Sequence, residues 1–159
     1  MNTEPTTIDF DCPTEADTRA LADRLGKLLH GGEVIELASD LGGGKTSFTQ
    51  SLAKSLGYKG PVTSPTFTLS QIYQIPDGVE IHHYDLYRLE ESGVVGTELA
   101  EDLDDKDIIV VVEWGDLVAG ILPKDRLRIE FEVTSEDGRI LHATALGPVS
   151  EKLLEGLSK

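Results

Sequence analysis

The order of apolar and polar residues along the chain predicts both strands and helices. Near the start, Ile8, Phe10 and Cys12 alternate with polar residues, which is typical of a strand with one buried face. Val34–Ala38 is a mostly apolar run, and residues 108–112 are five consecutive β-branched residues. Continuous apolar runs are typical of strands that are buried on both faces. We therefore predict a buried strand at the first run and a central strand at the second.

Two pairs of alternating stretches are joined by turn residues, which is typical of β-hairpins. In the first pair, a strand over residues 67–75 leads through Pro-Asp-Gly to a strand over residues 79–85. In the second, residues 127–133 lead through Ser-Glu-Asp-Gly to residues 140–146. Because hairpin strands are antiparallel, part of the sheet is predicted to be antiparallel.

Spacings of three and four between apolar residues predict three helices. The apolar stripes are Leu21, Leu25, Leu28 and Leu29; Phe48, Leu52 and Leu56; and Val149, Leu153, Leu154 and Leu157. Pro13 suits the first position of the first helix, and Gly31 with Gly32 suits its end. Residues 86–103 are expected to form a loop and a short helix. The whole pattern predicts one α/β domain over residues 1–159, with a mixed central sheet flanked by helices.

A glycine-rich segment, S-D-L-G-G-G-K-T-S at residues 39–47, follows the first buried strand and precedes a predicted helix. This is the context of a phosphate-binding loop, where glycines let the backbone approach a phosphate and helix N–H groups point at it. Lys45 would supply a positive charge to the β- and γ-phosphates, and the Thr46 hydroxyl is placed to bind Mg²⁺. The nucleotide contacts predicted from this loop are Leu41, Gly42, Gly43, Gly44, Lys45, Thr46 and Ser47.

One position departs from the usual loop pattern. The pattern G-x-x-x-x-G-K-[ST] begins with glycine, and this chain has Ser39 there. Serine fits if the φ angle is negative, and it costs about 1 kcal/mol if φ is positive. The alternative to a phosphate site is a glycine-rich turn that caps the helix and binds nothing.

Acidic residues at the ends of predicted strands are candidates for the remainder of the site. Glu113 follows the central strand, and Asp85 ends the first hairpin. We expect these carboxylates to bind Mg²⁺ directly or through water and to orient an attacking water, with Lys45 completing the catalytic set. The alternative is that each is a solvated acid at a strand end. Trp114 either stacks on a nucleotide base or packs in the core, and its surroundings in the sequence favour the core.

The histidines and the cysteine are predicted to be structural. His82 and His83 are neighbours on a predicted strand, so they face opposite ways and cannot bind one metal together. We assign the same structural role to His30 and His142. Cys12 lies in an apolar alternation without a basic neighbour, so we expect a buried, unreactive thiol.

Charge and composition restrict the partners of the protein. The 159 residues carry a formal charge of −15, from 29 acidic and 14 basic side chains. A surface this acidic repels nucleic acid, so any action on RNA is expected to pass through a partner protein. No apolar run approaches the roughly 20 residues of a membrane helix. The N-terminal residues do not have the pattern of a signal peptide, and one cysteine suits a reducing compartment, so we expect a cytoplasmic protein.

Four segments taken together resemble one known family. They are L-G-G-G-K-T-S at 41–47, S-P-T-F-T at 64–68, H-Y-D-L-Y-R at 83–88 and V-E-W at 112–114. In this order and spacing they resemble TsaE, the family of small bacterial ATPases of tRNA threonylcarbamoyladenosine biosynthesis. The last two segments are far more specific than the phosphate loop alone.

The resemblance implies a P-loop NTPase-like fold that binds ATP or ADP with Mg²⁺. It also implies that Thr66 lies near the γ-phosphate, that Asp85 and Glu113 are the acidic pair at the metal and the water, and that Trp114 lies near the nucleotide. The implied partners are the TsaD and TsaB proteins, with tRNA reached only through their complex. TsaD would transfer the threonylcarbamoyl group to the adenosine beside the anticodon, and ATP hydrolysis would be weak until the partners bind.

Two other functions remain compatible with the motifs. A non-hydrolysing switch, whose bound nucleotide sets partner affinity, would have the same residues with a poorly placed water. A small-molecule kinase would need an acceptor pocket and usually several arginines in a lid, and among the arginines only Arg88 lies near the motifs.

The sequence also predicts which base is bound. It contains no Asn-Lys-x-Asp element, which reads guanine in GTP-binding switches; the nearest segment is Asp105-Lys106-Asp107. We therefore expect ADP to bind more tightly than GDP in a competition assay. Tighter binding of GDP would contradict the predicted preference for adenine.

Overall fold

The computed structural model describes residues 4–39, 44–60, 70–86 and 93–159. The strands are β1 (Thr6–Cys12), β2 (Val34–Ala38), β3 (Ser70–Gln74), β4 (Glu80–Asp85), β5 (Ile108–Glu113), β6 (Leu127–Val133) and β7 (Arg139–Ala145). The helices are α1 (Glu15–Gly26), α2 (Lys45–Ser55), α3 (Gly93–Leu103) and α4 (Pro148–Leu157), with a short 3-10 turn at Gly115–Val118. None of these helices has both the length and the apolar character that crossing a membrane demands.

The strands form one mixed sheet in the order β1-β7-β6-β2-β5-β4-β3. The four inner strands β6, β2, β5 and β4 are parallel to one another. On one side, β7 pairs antiparallel with β6, and β1 pairs antiparallel with β7. On the other side, β3 pairs antiparallel with β4. Both predicted hairpins are therefore confirmed, as β3–β4 and β6–β7, and so is the α/β class with its mixed central sheet.

The strand β5 lies inside the sheet, between β2 and β4, and its surroundings explain its composition. Ile109 and Val111 point to a core that includes side chains of α1, α2 and α4. Val110 and Val112 point to the opposite face, into a core with side chains of α3 and of the 3-10 turn. Because helices cover both faces of the sheet here, every position of the run is buried and apolar residues occupy them all.

The first helix begins and ends at other residues than predicted. Thr14 is its N-cap: the Thr14 hydroxyl accepts from the Asp17 amide at 3.2 Å, and the Asp17 carboxylate accepts from the Thr14 amide at 3.0 Å. Pro13 therefore lies before the cap and is not the first helical residue. The helix ends at Gly26, ahead of the predicted end at Gly31 and Gly32. Its last residue packs against α2, since a Cβ on Gly26 would lie 1.6 Å from the Ser55 hydroxyl oxygen.

The structure also contains a further predicted strand, in part, and a further predicted helix. The strand predicted over 67–75 is described from Ser70 onward, so its first residues lie outside the described ranges. Residues 86–103, expected to hold a short helix, contain α3 with 11 residues.

Cys12 is a buried free thiol, as predicted, and burial raises its pKa, which keeps the thiol protonated at neutral pH.

The start of α4 is capped by a residue from another part of the chain. The Asp125 carboxylate accepts hydrogen bonds from the Val149 amide at 2.9 Å and from the Ser150 amide at 3.0 Å and hydroxyl at 2.8 Å. Burial alone would raise the pKa of this carboxyl, but the hydrogen bonds outweigh burial and hold the pKa below its ordinary value of 3.8. The ionised form of Asp125 therefore stabilises the folded state.

We expect Asp125→Ala to lower the free energy of unfolding by about 0.5–2 kcal/mol at pH 7, because it removes the cap of α4. Since the folded pKa is depressed, this contribution is present above pH 3.8 and is lost as pH falls through the lower folded value. Denaturant unfolding of both proteins at several pH values measures the difference.

The matched control is Glu151→Ala, which removes an exposed carboxylate from the first turn of the same helix. It should change stability by less than about 0.5 kcal/mol. Equal losses for the two variants would show that the Asp125 hydrogen bonds do not stabilise α4.

Candidate functional site

Three parallel strands end at one edge of the sheet and bring the predicted site residues together. Leu37 of β2 is the register partner of Glu113 in β5, and Glu113 is the register partner of Asp85 in β4. The chain leaves β2 through Ser39 and enters α2 at Lys45, so the two residues that flank the undescribed part of the glycine-rich segment are joined to this edge by β2 and α2. In open α/β sheets, ligands bind at the carboxyl ends of parallel strands.

The glycine before α2 has a backbone that other residues rarely adopt. Gly44 is the N-cap residue of α2 and has φ 99°, in the left-handed region. A Cβ at Gly44 would meet no atom within 4 Å, so this position requires glycine for its backbone angle and not for space. The next residues, Thr46 and Ser47, are partly exposed in the first turn of the helix, where N–H groups lack intrahelical acceptors. This helix start can therefore receive an anion.

Lys45 is a buried cation surrounded by electron-rich groups. Its side chain is nearly inaccessible, with 6% of the residue exposed. The ammonium donates to the Ser39 carbonyl oxygen at 3.3 Å, and its nitrogen lies 3.8 Å from the Glu113 carboxylate. It also lies 4.3 Å from the centre of the Trp114 ring, within the range of a cation–π interaction. These contacts hold the charge of Lys45 at the end of β5.

Glu113 is held between Lys45 and a histidine. The residue is 3% exposed, and its Oε2 forms a hydrogen bond with Nε2 of His83, which has no exposed surface. From the sequence we predicted a structural role for His83, and the contact with Glu113 was not predicted. The available signal was the spacing of His83 and Asp85, which puts both on the same face of β4.

The two adjacent histidines do face opposite ways, as predicted. His82 contacts the Asp102 carboxylate through Nδ1 at 2.7 Å and the Glu80 carboxylate through Nε2 at 3.1 Å. Tyr84, two residues on and on the same face, donates to Asp102 as well. Burial and this hydrogen bond raise the pKa of Tyr84 far above its ordinary value, so the phenol stays protonated. His82 therefore joins β4 to α3 on the face away from Lys45.

Trp114 has a strained backbone next to the candidate catalytic acid. It has φ 59° and is the one non-glycine residue with a positive φ in the described ranges. Such a conformation costs about 1–2 kcal/mol for a bulky side chain. This backbone conformation turns the chain from β5 into the 3-10 turn. In that turn, a Cβ on Gly115 would lie 3.1 Å from the Glu36 carboxylate. Arg126 fixes that carboxylate with a 2.8 Å contact.

The ring of Trp114 packs in part against the core beneath α3, as the residue pattern favoured, while it also contacts Lys45.

Ser39 has a negative φ, since Trp114 alone among the described non-glycine residues has a positive φ. Serine therefore fits at the position where the loop pattern has glycine. Asp85 lies at the end of β4 and is partly buried.

Several predicted contacts lie outside the described residues. They are Leu41, Gly42, Gly43 and Thr66. Their contacts with nucleotide stay predictions, as do those of Lys45, Thr46, Ser47 and Trp114.

A glycine-rich segment that joins a buried parallel strand to a helix and begins that helix with Lys-Thr defines the class: the protein is an α/β protein of the P-loop type. The sequence profile of the family described as "Threonylcarbamoyl adenosine biosynthesis protein TsaE" matches residues 12–141. The chain belongs to the TsaE family, as the four sequence segments indicated.

Similarity to individual proteins extends over most of the chain. The chain is 40% identical over 138 residues to the tRNA threonylcarbamoyladenosine biosynthesis protein TsaE of Streptomyces coelicolor, covering 81% of this chain and 90% of that protein. To the protein of the same name from Bacillus subtilis it is 36% identical over 149 residues, covering 90% and 89%. The crystal structure of YdiB from Bacillus subtilis matches with a TM-score of 0.78 and 29% identity, covering 99% of this chain and 97% of that chain. The predicted fold and family are confirmed.

We expect Lys45→Met to weaken ATP binding by about tenfold or more, because charge-assisted hydrogen bonds typically contribute about 1.5–3 kcal/mol. Methionine keeps an apolar stem beside Trp114 and removes the ammonium, with its charge and its N–H donors. Calorimetric titration with ATP measures the change.

The control is Lys54→Met, which removes an exposed lysine from the last turn of the same helix. It should leave ATP affinity within about twofold of the wild type. Unchanged affinity in Lys45→Met would contradict the assignment of the phosphate site.

Proposed function

We propose that this chain binds ATP with Mg²⁺ and hydrolyses it, and that hydrolysis supports threonylcarbamoyl transfer to the tRNA adenosine beside the anticodon. The observation that carries the proposal is the buried Lys45 ammonium 3.8 Å from the Glu113 carboxylate, at the start of α2 and the end of β5. A phosphate site needs a fixed cation, and a hydrolysis site needs a fixed carboxylate. Membership of the TsaE family supplies the biological setting.

Lys45 and the start of α2 are the positive centre in this proposal. The whole chain carries a formal charge of −15, so its surface offers a triphosphate little long-range attraction. Binding then depends on the local field of the Lys45 ammonium and of the N–H groups after Gly44. A phosphate that binds here competes with the Glu113 carboxylate for Lys45.

For Mg²⁺ we assign the Thr46 hydroxyl and the Asp85 carboxylate as ligands, with Glu113 acting through a bound water. Mg²⁺ favours oxygen donors and usually combines one or two carboxylates with phosphate oxygens and water. The described residues contain no group of three or more histidine, cysteine or acidic side chains that could hold a metal. With these assignments, phosphate oxygens and water molecules would supply a large share of the Mg²⁺ ligands. When bound, the ion would neutralise charge on the β- and γ-phosphates.

Glu113 is the residue to which we assign the orientation of the attacking water. Its oxygens contact Lys45 and His83, so the carboxylate has a fixed direction and does not need to reorganise. In the reaction, the water oxygen bonds to the γ-phosphorus, a water proton passes to Glu113, and the bond to the bridging oxygen breaks to release ADP. Lys45 would stabilise the charge that develops on the phosphate oxygens.

The proposed partners are TsaD and TsaB, and tRNA would be reached only through them. The acidic balance of the chain disfavours direct contact with RNA, whose affinity depends on lysine and arginine contacts to phosphates. We also propose a cytoplasmic location, which suits the free thiol of Cys12. Weak hydrolysis by the isolated chain, stimulated by the partners, is the expected behaviour.

We expect Asp85→Asn and Glu113→Gln to separate binding from hydrolysis. Asp85→Asn should weaken Mg²⁺-dependent ATP binding, because a neutral amide cannot balance the cation. Glu113→Gln should keep ATP bound and lower partner-stimulated turnover by about 10²-fold or more, because it removes a positioned proton acceptor. ATP affinity with and without Mg²⁺, together with phosphate release in the reconstituted complex, measures both effects.

Asp107→Asn is the control, since this exposed carboxylate lies just before β5, at the opposite end of the strand from Glu113. It should change neither affinity nor turnover. Normal hydrolysis by Glu113→Gln would contradict the catalytic assignment of Glu113, whereas ATP bound without hydrolysis by the wild-type complex would favour a nucleotide-binding switch.

A further inference from the structure

We infer that His83 is a positioning residue for hydrolysis: its Nε2–H fixes the Glu113 carboxylate in the orientation that receives the attacking water. This inference rests on the proposed ATP hydrolysis. It assigns to a core histidine of β4 a part in the reaction, although His83 itself touches neither the nucleotide nor the water.

The geometry shows that His83 is well placed for this role. His83 and Glu113 lie on neighbouring parallel strands, where His83 is the register partner of Val111 and Glu113 is two residues further along. His83 has no exposed surface, and Glu113 is 3% exposed. Water therefore cannot replace the contact, and the imidazole is confined by the core around it.

His83 makes the one hydrogen bond to the Glu113 side chain in the part of the chain that the structure describes. Lys45 approaches the other carboxylate oxygen only to 3.8 Å, which is an ion pair beyond hydrogen-bonding distance. A displacement of Lys45 toward a phosphate would leave Glu113 with the histidine as its fixed contact. The orientation of the carboxylate then depends on His83.

The second ring nitrogen, Nδ1, shows that packing alone does not explain why a histidine occupies position 83. An ionised carboxylate only accepts hydrogen bonds, so Nε2 of His83 must carry the proton. Nδ1 is buried and has no hydrogen-bond partner in the described ranges. Burying an unpaired polar atom is unfavourable, and an apolar residue like those of β5 would avoid it. The hydrogen bond that Nε2–H donates to Glu113 offsets this cost.

His82 provides a natural comparison within the same strand. It too is buried and bonded to carboxylates, those of Asp102 and Glu80, but it faces α3 and not Lys45. A histidine that only stabilises the fold should behave like His82. Substitutions at the two positions therefore separate a positioning role from a structural one.

The test compares His83→Gln with His83→Met in the complex reconstituted with TsaD and TsaB. Glutamine keeps an N–H donor near the position of Nε2, whereas methionine has a similar length and no donor. We expect His83→Met to lower kcat by about 10²-fold, as misplacement of a catalytic group by about 1 Å can do. His83→Gln should recover at least about tenfold of that loss, with KM and ATP affinity within about twofold in both variants.

His82→Gln is the matched control, and it should lower the melting temperature while kcat stays within about twofold of the wild type. Equal losses of kcat in His83→Gln and His83→Met, or a parallel loss of ATP affinity, would overturn the positioning role. In a Glu113→Gln background, His83→Met should lower kcat by less than about twofold, because both substitutions act on one group.

Failure of this inference and failure of the proposed function give different results. Absence of ATP hydrolysis by the wild-type complex contradicts the proposed function, whereas normal turnover in Glu113→Gln contradicts the role of Glu113 and, with it, that of His83. Slow turnover in Glu113→Gln with normal turnover in His83→Met overturns only the inference about His83. A nitrogen NMR spectrum of the imidazole tests the contact without any hydrolysis: we expect the proton on Nε2, and a proton found only on Nδ1 would overturn the inference.

Discussion

The candidate site depends on the parallel pairing of β2, β5 and β4, which makes three strands end at one edge of the sheet. Each strand delivers one part of the site there. The glycine-rich segment follows β2, Glu113 ends β5, and Asp85 ends β4. Helices cover both faces of β5, so the backbone that carries Glu113 is fixed by the core. A small shift in the pairing of these strands would separate the side chains that make up the site.

Two buried carboxylates lie on opposite faces of this part of the sheet, and each has a cation beside it. Glu113 faces α2 and pairs with Lys45, while Glu36 of β2 faces the 3-10 turn and pairs with Arg126. Burying such pairs is costly, because desolvation can exceed the attraction between the charges. Their presence is best explained by what they position. The Glu113 pair holds Lys45 at the helix start, and the Glu36 pair holds the turn that carries Trp114 over Lys45. Part of the stability of the domain is thus given up for the geometry of one edge.

Local sequence patterns were enough to predict most of the elements and the P-loop class of the fold. The β-branched run identified β5, and the Gly-Lys-Thr segment between strand and helix identified the loop. Both predicted ends of α1 were wrong; the helix begins after Thr14 because Thr14 and Asp17 form a capping box that follows the proline.

Features that depend on distant contacts could not be predicted in the same way. The contact of His83 with Glu113 requires the register of β4 against β5, and α3 separates these strands in the sequence. The turn after β5 imposes the positive φ of Trp114. Nothing in the sequence predicts that a bulky residue adopts this backbone angle. The cap that Asp125 provides for α4 also joins residues far apart along the chain.

Release of inorganic phosphate from ATP, measured for the wild-type chain alone and with TsaD and TsaB, tests the central claim most directly. We expect many moles of phosphate per mole of chain when the partners and Mg²⁺ are present, and much slower release by the chain alone. ATP that binds with Mg²⁺ and partners but is not hydrolysed beyond a single turnover would contradict the account.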